Sequence, residues 1–435
     1  MHGVTCAISF AVLAWIGLAD SEARPGASPS PAGDQPVQLA ELVSAALENN
    51  PRLRARFYRW RELSLRVSAA SKLPEPTLSF GYFVRSVETR VGPQRARIGI
   101  RQRIPWPAEL SASEEQAVAT ARAEKSRLDA EALALRREVV TEFWRIWNLE
   151  RSLELHREHL AVLRALADSA LAAIKTGRAG LAEHQQVELR IERLADQVVS
   201  IESDADRARA RLTSLVGGDG PLVLRPVERP AHQPELPYDA ATLEAAPRLH
   251  PAPQGFRELG LAATAEADRA AASGWPDFAF GVDWIATDEA RLPGVADSGR
   301  DAWIAGLTID LPVWRGAYSD SVGAAGARVD AADANARGAV LALQRDLRVA
   351  LTDFADARRR IDLYEKTLIP KAEAVHGSVL GEYTSGRAEL TRALISQGEL
   401  LELRVGLAEA RTALAQARAA IDAVVLPVLE TSHEE

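Results

Sequence analysis

The chain has 435 residues and 47% hydrophobic composition, and its 52 Lys and Arg against 60 Asp and Glu give a formal charge of −8. That mild acidity leaves no basic excess to neutralise phosphates and argues against a nucleic-acid partner. Ala, Leu, Arg and Glu dominate while aromatic residues are few, at 6%, a composition suited to long helices.

At the N-terminus, Ala7 to Ala19 form an apolar run too short to cross a bilayer as a helix, and Ser21-Glu22-Ala23 offers the small residues of a cleavage site. Residues 1–23 are therefore expected to be a signal peptide, although the n-region carries only His2. A disordered apolar terminus is the competing reading. The mature chain would begin near Arg24, with 24–37 as a linker. Cleavage would remove Cys6 and Met1, the only Cys and the only Met, and with them any disulfide, thiol nucleophile or thiolate ligand. No later segment is apolar over the ~20 residues of a membrane helix, so entry into a membrane would have to use strands.

The chain is written twice. Glu48-Asn49-Asn50-Pro51-Arg52-Leu53 recurs as Glu244-Ala245-Ala246-Pro247-Arg248-Leu249 at an offset of 196, and Arg61-Glu62-Leu63 as Arg257-Glu258-Leu259 at the same offset. Pro76 and Phe80-Gly81 answer Pro276 and Phe280-Gly281 at 200, Gly99 and Pro105 answer Gly306 and Pro312 at 207, and Gly177-Arg178-Ala179 answers Gly386-Arg387-Ala388 at 209.

The first repeat, 38–220, predicts a helix from Leu39 to about Leu73 and strands at about 77–85 and 95–105. Long helices follow at about 108–176 and 179–216. A Pro-rich linker over 221–246 leads to the second repeat, 247–427. There a helix from Ala240 to about Ser273 precedes strands at about 277–286 and 301–312, long helices at about 316–385 and 388–426, and a tail, 428–435. No proline lies between Pro107 and Pro221, and Leu135, Val139, Phe143, Ile146, Leu149 and Leu153 recur at the spacing of a packed helical seam. At 1.5 Å per residue the helix over 108–176 would be ~100 Å long.

The strands alternate. Leu78, Phe80, Tyr82 and Val84 oppose Thr77, Ser79 and Gly81; Ile98, Ile100 and Ile104 oppose Arg95, Arg97, Arg101 and Arg103. Phe278, Phe280, Val282 and Trp284 oppose Asp277 and Asp283, and Trp303, Leu307 and Ile309 oppose Thr308 and Asp310. Each run is about long enough to cross a bilayer as a tilted strand. Lipid forbids an open sheet edge, so such strands must close a barrel with other copies, and twelve strands from three copies is the simplest closure.

The tandem repeat, Glu48-Asn49-Asn50-Pro51, and Tyr383-Thr384-Ser385-Gly386-Arg387 with its Leu-rich continuation resemble the TolC-like outer-membrane efflux factors over nearly the whole mature chain. Val91-Gly92-Pro93-Gln94-Arg95 and Ile104-Pro105-Trp106-Pro107 resemble the heavy-metal (Czc/Cus-type) branch. The resemblance implies a mainly α fold with membrane β. Helical hairpins would form a periplasmic α-barrel, and four strands per subunit would complete a trimeric 12-stranded outer-membrane barrel. It implies a non-enzymatic duct in a tripartite pump for heavy-metal cations or drugs, partnered by a periplasmic adaptor and an RND-type inner-membrane pump. A periplasmic adaptor or a structural coiled-coil envelope protein is the alternative, but neither would carry a duplicated strand pair.

No catalytic, cofactor or phosphate-loop constellation is present. His156 and His159, at i and i+3 beside Glu158, could meet a metal but are more simply surface histidines of a long helix. The face Arg95, Arg97, Arg101 and Arg103 would point into a barrel lumen, partly neutralised by Asp283 and Asp310. At the periplasmic tip the resemblance marks Gly177, Arg178, Glu183, Tyr383, Gly386 and Arg387. It implies a latch in which Glu183 accepts hydrogen bonds from Tyr383 and Arg387, with docking of the adaptor as the alternative role.

Overall fold

The computed structural model describes residues 38–175, 180–218 and 235–431. The expected signal peptide, the linker 24–37, the turn with Gly177 and Arg178, most of the inter-repeat linker and the last four residues lie outside the described residues. The helices are α1 (Leu39–Asn49), α2 (Pro51–Ala70), α3 (Pro107–Lys175), α4 (Leu181–Val216), α5 (Ala240–Leu249), α6 (Pro251–Ala272), α7 (Arg315–Leu363), α8 (Ile369–Thr384) and α9 (Leu390–Thr431). The strands are β1 (Thr77–Thr89), β2 (Gly92–Ile104), β3 (Asp277–Thr287) and β4 (Ala302–Asp310).

Two compact units each draw on both sequence halves. Among the described residues, one gathers 38–55, 130–175, 180–218, 235–250 and 342–431; the other gathers Arg56–Asp129 and Pro251–Leu341.

The first unit is helical and held by heptad-like seams. On α7, Leu347, Ala350, Phe354, Ala357 and Ile361 step by 3 and 4 residues against Ala410, Leu414, Ala417, Ile421 and Val424 of α9. On α3, Leu160, Leu163, Ala167 and Ala170 do the same against Val187, Ile191 and Leu194 of α4, joined by Leu390 and Leu394. Facing rows at this spacing interlock as knobs into holes, and each buried Leu or Ile contributes roughly 1.5–3 kcal/mol.

The two helices expected at 39–73 and 240–273 are each broken, at Asn50 and at His250. A residue before proline is pushed out of the helical region, and the proline that follows suits the first position of a new helix. Asn50 (φ −60°, ψ 120°) and His250 (φ −62°, ψ 143°) are both extended. Asn50 Oδ1 accepts from the N–H groups of Arg52 (2.9 Å) and Leu53 (3.2 Å), capping α2. These breaks correct the repeat register. Asn50-Pro51 corresponds to His250-Pro251 at an offset of 200, while Pro247 sits inside α5.

The helix expected at 316–385 is interrupted by a π turn at Tyr364–Leu368. Pro370 has no N–H for the carbonyl one turn back. The helix widens there, with the Ile369 N–H donating to Tyr364 O.

The second unit carries a four-stranded antiparallel meander in the order β1-β2-β3-β4. The expected strands at 77–85 and 95–105 extend toward each other until only Arg90 and Val91 separate them. A bulge between Tyr82 and Val87 absorbs the extra residues of β1.

Candidate functional site

Register assigns the paired strand residues to a face. Leu78 pairs with Ile100 and Phe80 with Ile98; on the other side Ile98 pairs with Trp284 and Ile100 with Val282; Phe280 then pairs with Leu307 and Trp284 with Trp303. These form one apolar face, interrupted by Gln102, and it is exposed: Leu78 and Phe80 are each 72% accessible and Trp303 71%. An uncovered sheet face of this extent has no stable place in water.

Tryptophans stand at both ends of that band. Trp284 and Trp303 face each other across β3 and β4, and Trp284 Nε1 donates to Asp301 at 3.1 Å. At the other end Trp106 Nε1 donates to Pro276 O at 2.9 Å, with its ring 6.1 Å from Trp275 and 5.9 Å from Phe278. Two aromatic rows bracketing an apolar band are the pattern of a membrane strand sheet. Sequence alternation exposed the band but not the rows, because Trp106, Trp275 and Trp314 lie beyond the strand ends.

The opposite face carries charge, and most of it is paired. Arg97 donates to both Asp283 oxygens, at 2.9 and 2.8 Å. Arg103 binds Asp277, with Nε at 3.1 Å, and Arg95 binds Asp288. The two acids expected to neutralise this face in part are placed differently. Asp283 is ion-paired with Arg97, Asp310 makes no ion pair among the described residues, and the pairing of Asp277 and Asp288 was missed because β3 register decides which acid meets which arginine.

The β3–β4 loop folds over the β1–β2 turn. Asp288 N–H donates to Pro93 O (2.9 Å) and Gly299 N–H to Val91 O (2.8 Å). Gly92 has φ +133°, and a Cβ there would sit 1.7 Å from Asp288 O. The residues that carry the heavy-metal resemblance therefore have structural work: Gly92 and Pro93 form a buried turn, and Trp106 anchors the start of α3.

In the helical unit, Gly386 (φ +72°) ends α8 as a left-handed cap. Its N–H donates to Tyr383 O at 2.9 Å, and that of Arg387 to Glu382 O at 2.8 Å. Tyr383 is half-buried against the Leu390–Leu394 cluster. Arg387 Nε donates to Ser385 Oγ at 3.0 Å. Glu183 lies in the first turn of α4, and the structure does not bring it into hydrogen-bond contact with Tyr383 or Arg387 within one chain. The latch is not formed inside a single subunit.

His159 is buried (8% accessible), unlike the surface histidine expected, and its Nδ1 lacks a partner among the described residues. Burial, aided by the neighbouring His156, Arg190 and His376, lowers its pKa to about 4. His156 Nδ1 instead meets Ser152 O at 2.7 Å. Among the described residues no group of three or more His, Cys, Asp or Glu could hold a metal ion, and no helix is long and apolar enough to cross a membrane.

Comparison with known proteins agrees with this architecture. The family profile described as "Outer membrane efflux protein" matches residues 42–218 and 260–425. The fold is similar to that of the outer-membrane channel OprN, at 19% identity over 89% of each chain and a TM-score of 0.76. It is also similar to a membrane protein from Pseudomonas aeruginosa (18% identity, 94% of this chain and 99% of that one, TM-score 0.77). Outer membrane protein VceC from Vibrio cholerae matches at 17% identity, over 89% and 95% of the two chains, with a TM-score of 0.72. No curated protein sequence matches the chain.

Proposed function

The chain belongs to the outer membrane efflux protein family, and from that premise we propose that it is the outer-membrane channel subunit of a tripartite efflux pump. Three copies close a twelve-stranded barrel with their sheets, and their long helices form a periplasmic conduit. Cargo moves through it passively. A periplasmic adaptor and an RND-type inner-membrane pump supply attachment and energy.

The observation that carries this reading is the sheet. Its apolar face is exposed between two tryptophan rows, its other face is charged, and β1 and β4 each pair on one side only. Lipid tolerates that face only if both edges are paired, and copies of the same chain provide matching edges. The heavy-metal motif residues are occupied in turn and anchor contacts, so they add no support for a metal cargo.

The test is extraction. The protein is expected in outer-membrane fractions and, once purified in detergent, as a trimer by mass. A mature protein that runs as a soluble monomer without detergent overturns the barrel.

A further inference from the structure

Four arginines line the charged face of the sheet, and they are not equivalent. Arg95, Arg97 and Arg103 each face an aspartate of β3 or of the loop after it. Arg101 is exposed and makes no ion pair among the described residues. Its cross-strand partners are Thr77 on β1 and Gly281 on β3, neither of them acidic. The nearest diagonal acid, Asp283, already gives both oxygens to Arg97.

The wall across β3 and β4 from Arg101 is bare, whereas on its Gly99 side the Asp283 carboxylate covers the sheet. A Cβ on Gly281 would lie 3.6 Å from Arg101 Nε, so the side chain crosses that glycine. Gly306 pairs with Gly281 one strand further on, and a Cβ there would meet nothing within 4 Å. No side chain on that path shields the guanidinium from the space in front of the sheet. The remaining unpaired acid of this face, Asp310, pairs in register with Asp277, four residues along from Gly281. Four residues of strand are about 13 Å, beyond the ~8 Å over which exposed charges feel each other at physiological ionic strength.

The geometry points to Arg101 as the residue that sets charge selectivity in the barrel: a ring of three guanidiniums, none of them held in an ion pair, favouring anionic solutes over metal cations. This rests on the channel reading above, in which the charged face lines the lumen. A cationic wall enriches anions locally and depletes cations, whereas ion-paired arginines present little net charge to the lumen. The cargo class that fits is therefore anionic organic molecules rather than free divalent metal ions.

Planar-bilayer recording of the purified trimer under a KCl gradient tests it. The wild type is expected to prefer anions, Arg101→Gln to lose that preference and Arg101→Glu to prefer cations. The paired control Arg97→Gln with Asp283→Asn is expected to keep wild-type selectivity. Should the Glu variant assemble poorly, Arg101→Cys offers a second route, since the only native cysteine, Cys6, lies in the expected signal peptide. A cationic methanethiosulfonate should restore anion preference there, and an anionic one should invert it. Full conductance with unchanged selectivity in the Arg101 variants overturns this proposal alone. Absence of conductance from the wild type overturns the channel reading with it.

Discussion

Asn50 donates its side-chain Nδ2–H to Leu215 O at 2.8 Å, tying the break between α1 and α2 to the last turn of α4. Its counterpart in the second repeat, His250, hydrogen-bonds the backbone of Ala423 near the end of α9. Each half of the chain thus locks its short first helix onto its last long helix through one buried polar side chain. Asn50→Ala removes an N-cap worth ~1 kcal/mol and leaves a carbonyl unsatisfied, for a further ~1–3 kcal/mol. Asn50→Asp keeps the cap but loses the donor. Thermal unfolding in detergent should rank the wild type above Asp and Asp above Ala; equal midpoints would show that the tie is dispensable.

Much of this was legible in the residues. Alternation at Leu78 to Val84 and at Phe278 to Trp284 announced the strands, and the proline-free stretch after Pro107 announced α3. What stayed hidden depended on pairing partners. Which aspartate meets which arginine is a matter of β2–β3 register, and the three extra residues of β1 between Tyr82 and Val87 are taken up by a bulge that no local pattern encodes. The breaks at Asn50 and His250 were signalled by the proline after each, a signal masked by the strong helical pattern on both sides. His159 read as a surface residue because the groups that lie near it from other helices, Arg190 and His376, are distant in sequence.

The two sheet faces should tolerate charge differently. Phe80→Lys puts an ammonium on the exposed apolar face, where a cation near the bilayer midplane costs ~2–4 kcal/mol. Thr308→Lys puts the same charge on the opposite face, facing Ala279, and should cost little. Assembly into detergent-resistant trimers is expected to drop sharply for the first and remain near wild type for the second. Equal loss in both would mean that lipid does not contact the Phe80 face.

His159 and His250 are both held near pKa 4, well below the ordinary value, chiefly by burial. The folded chain therefore binds fewer protons than the unfolded one at mildly acidic pH. Their contribution to stability is complete above pH ~6.5 and is lost as pH falls through that value towards 4. The loss is at most about 3 kcal/mol per histidine. Unfolding midpoints at pH 7.5 and 4.5 should differ less in a His159→Gln, His250→Gln double variant than in the wild type. Glutamine at 250 can still donate to Ala423. An undiminished pH dependence would assign the effect to other groups.

The tip is where a polar latch and an apolar seal make opposite predictions. Within one chain Tyr383 is held by its ring, packed among Leu390, Leu394 and the α3–α4 seam, while its hydroxyl and Glu183 do not meet. A latch between them must therefore join neighbouring subunits. Tyr383→Phe keeps the ring and removes only the hydroxyl, and Glu183→Ala removes the acceptor from a half-buried position outside the core cluster, so neither should disturb the core. A shielded charged hydrogen bond is worth ~1.5–3 kcal/mol, and less where water competes, so losing three by symmetry should shift a closed channel measurably. Single-channel recording of the Glu183→Ala, Tyr383→Phe variant without adaptor is expected to show raised resting conductance at unchanged thermal stability. Wild-type conductance together with lost adaptor binding would make the same residues a docking surface instead. Raised conductance only with Tyr383→Ala, which empties the ring's place, would move the seal to the leucine cluster.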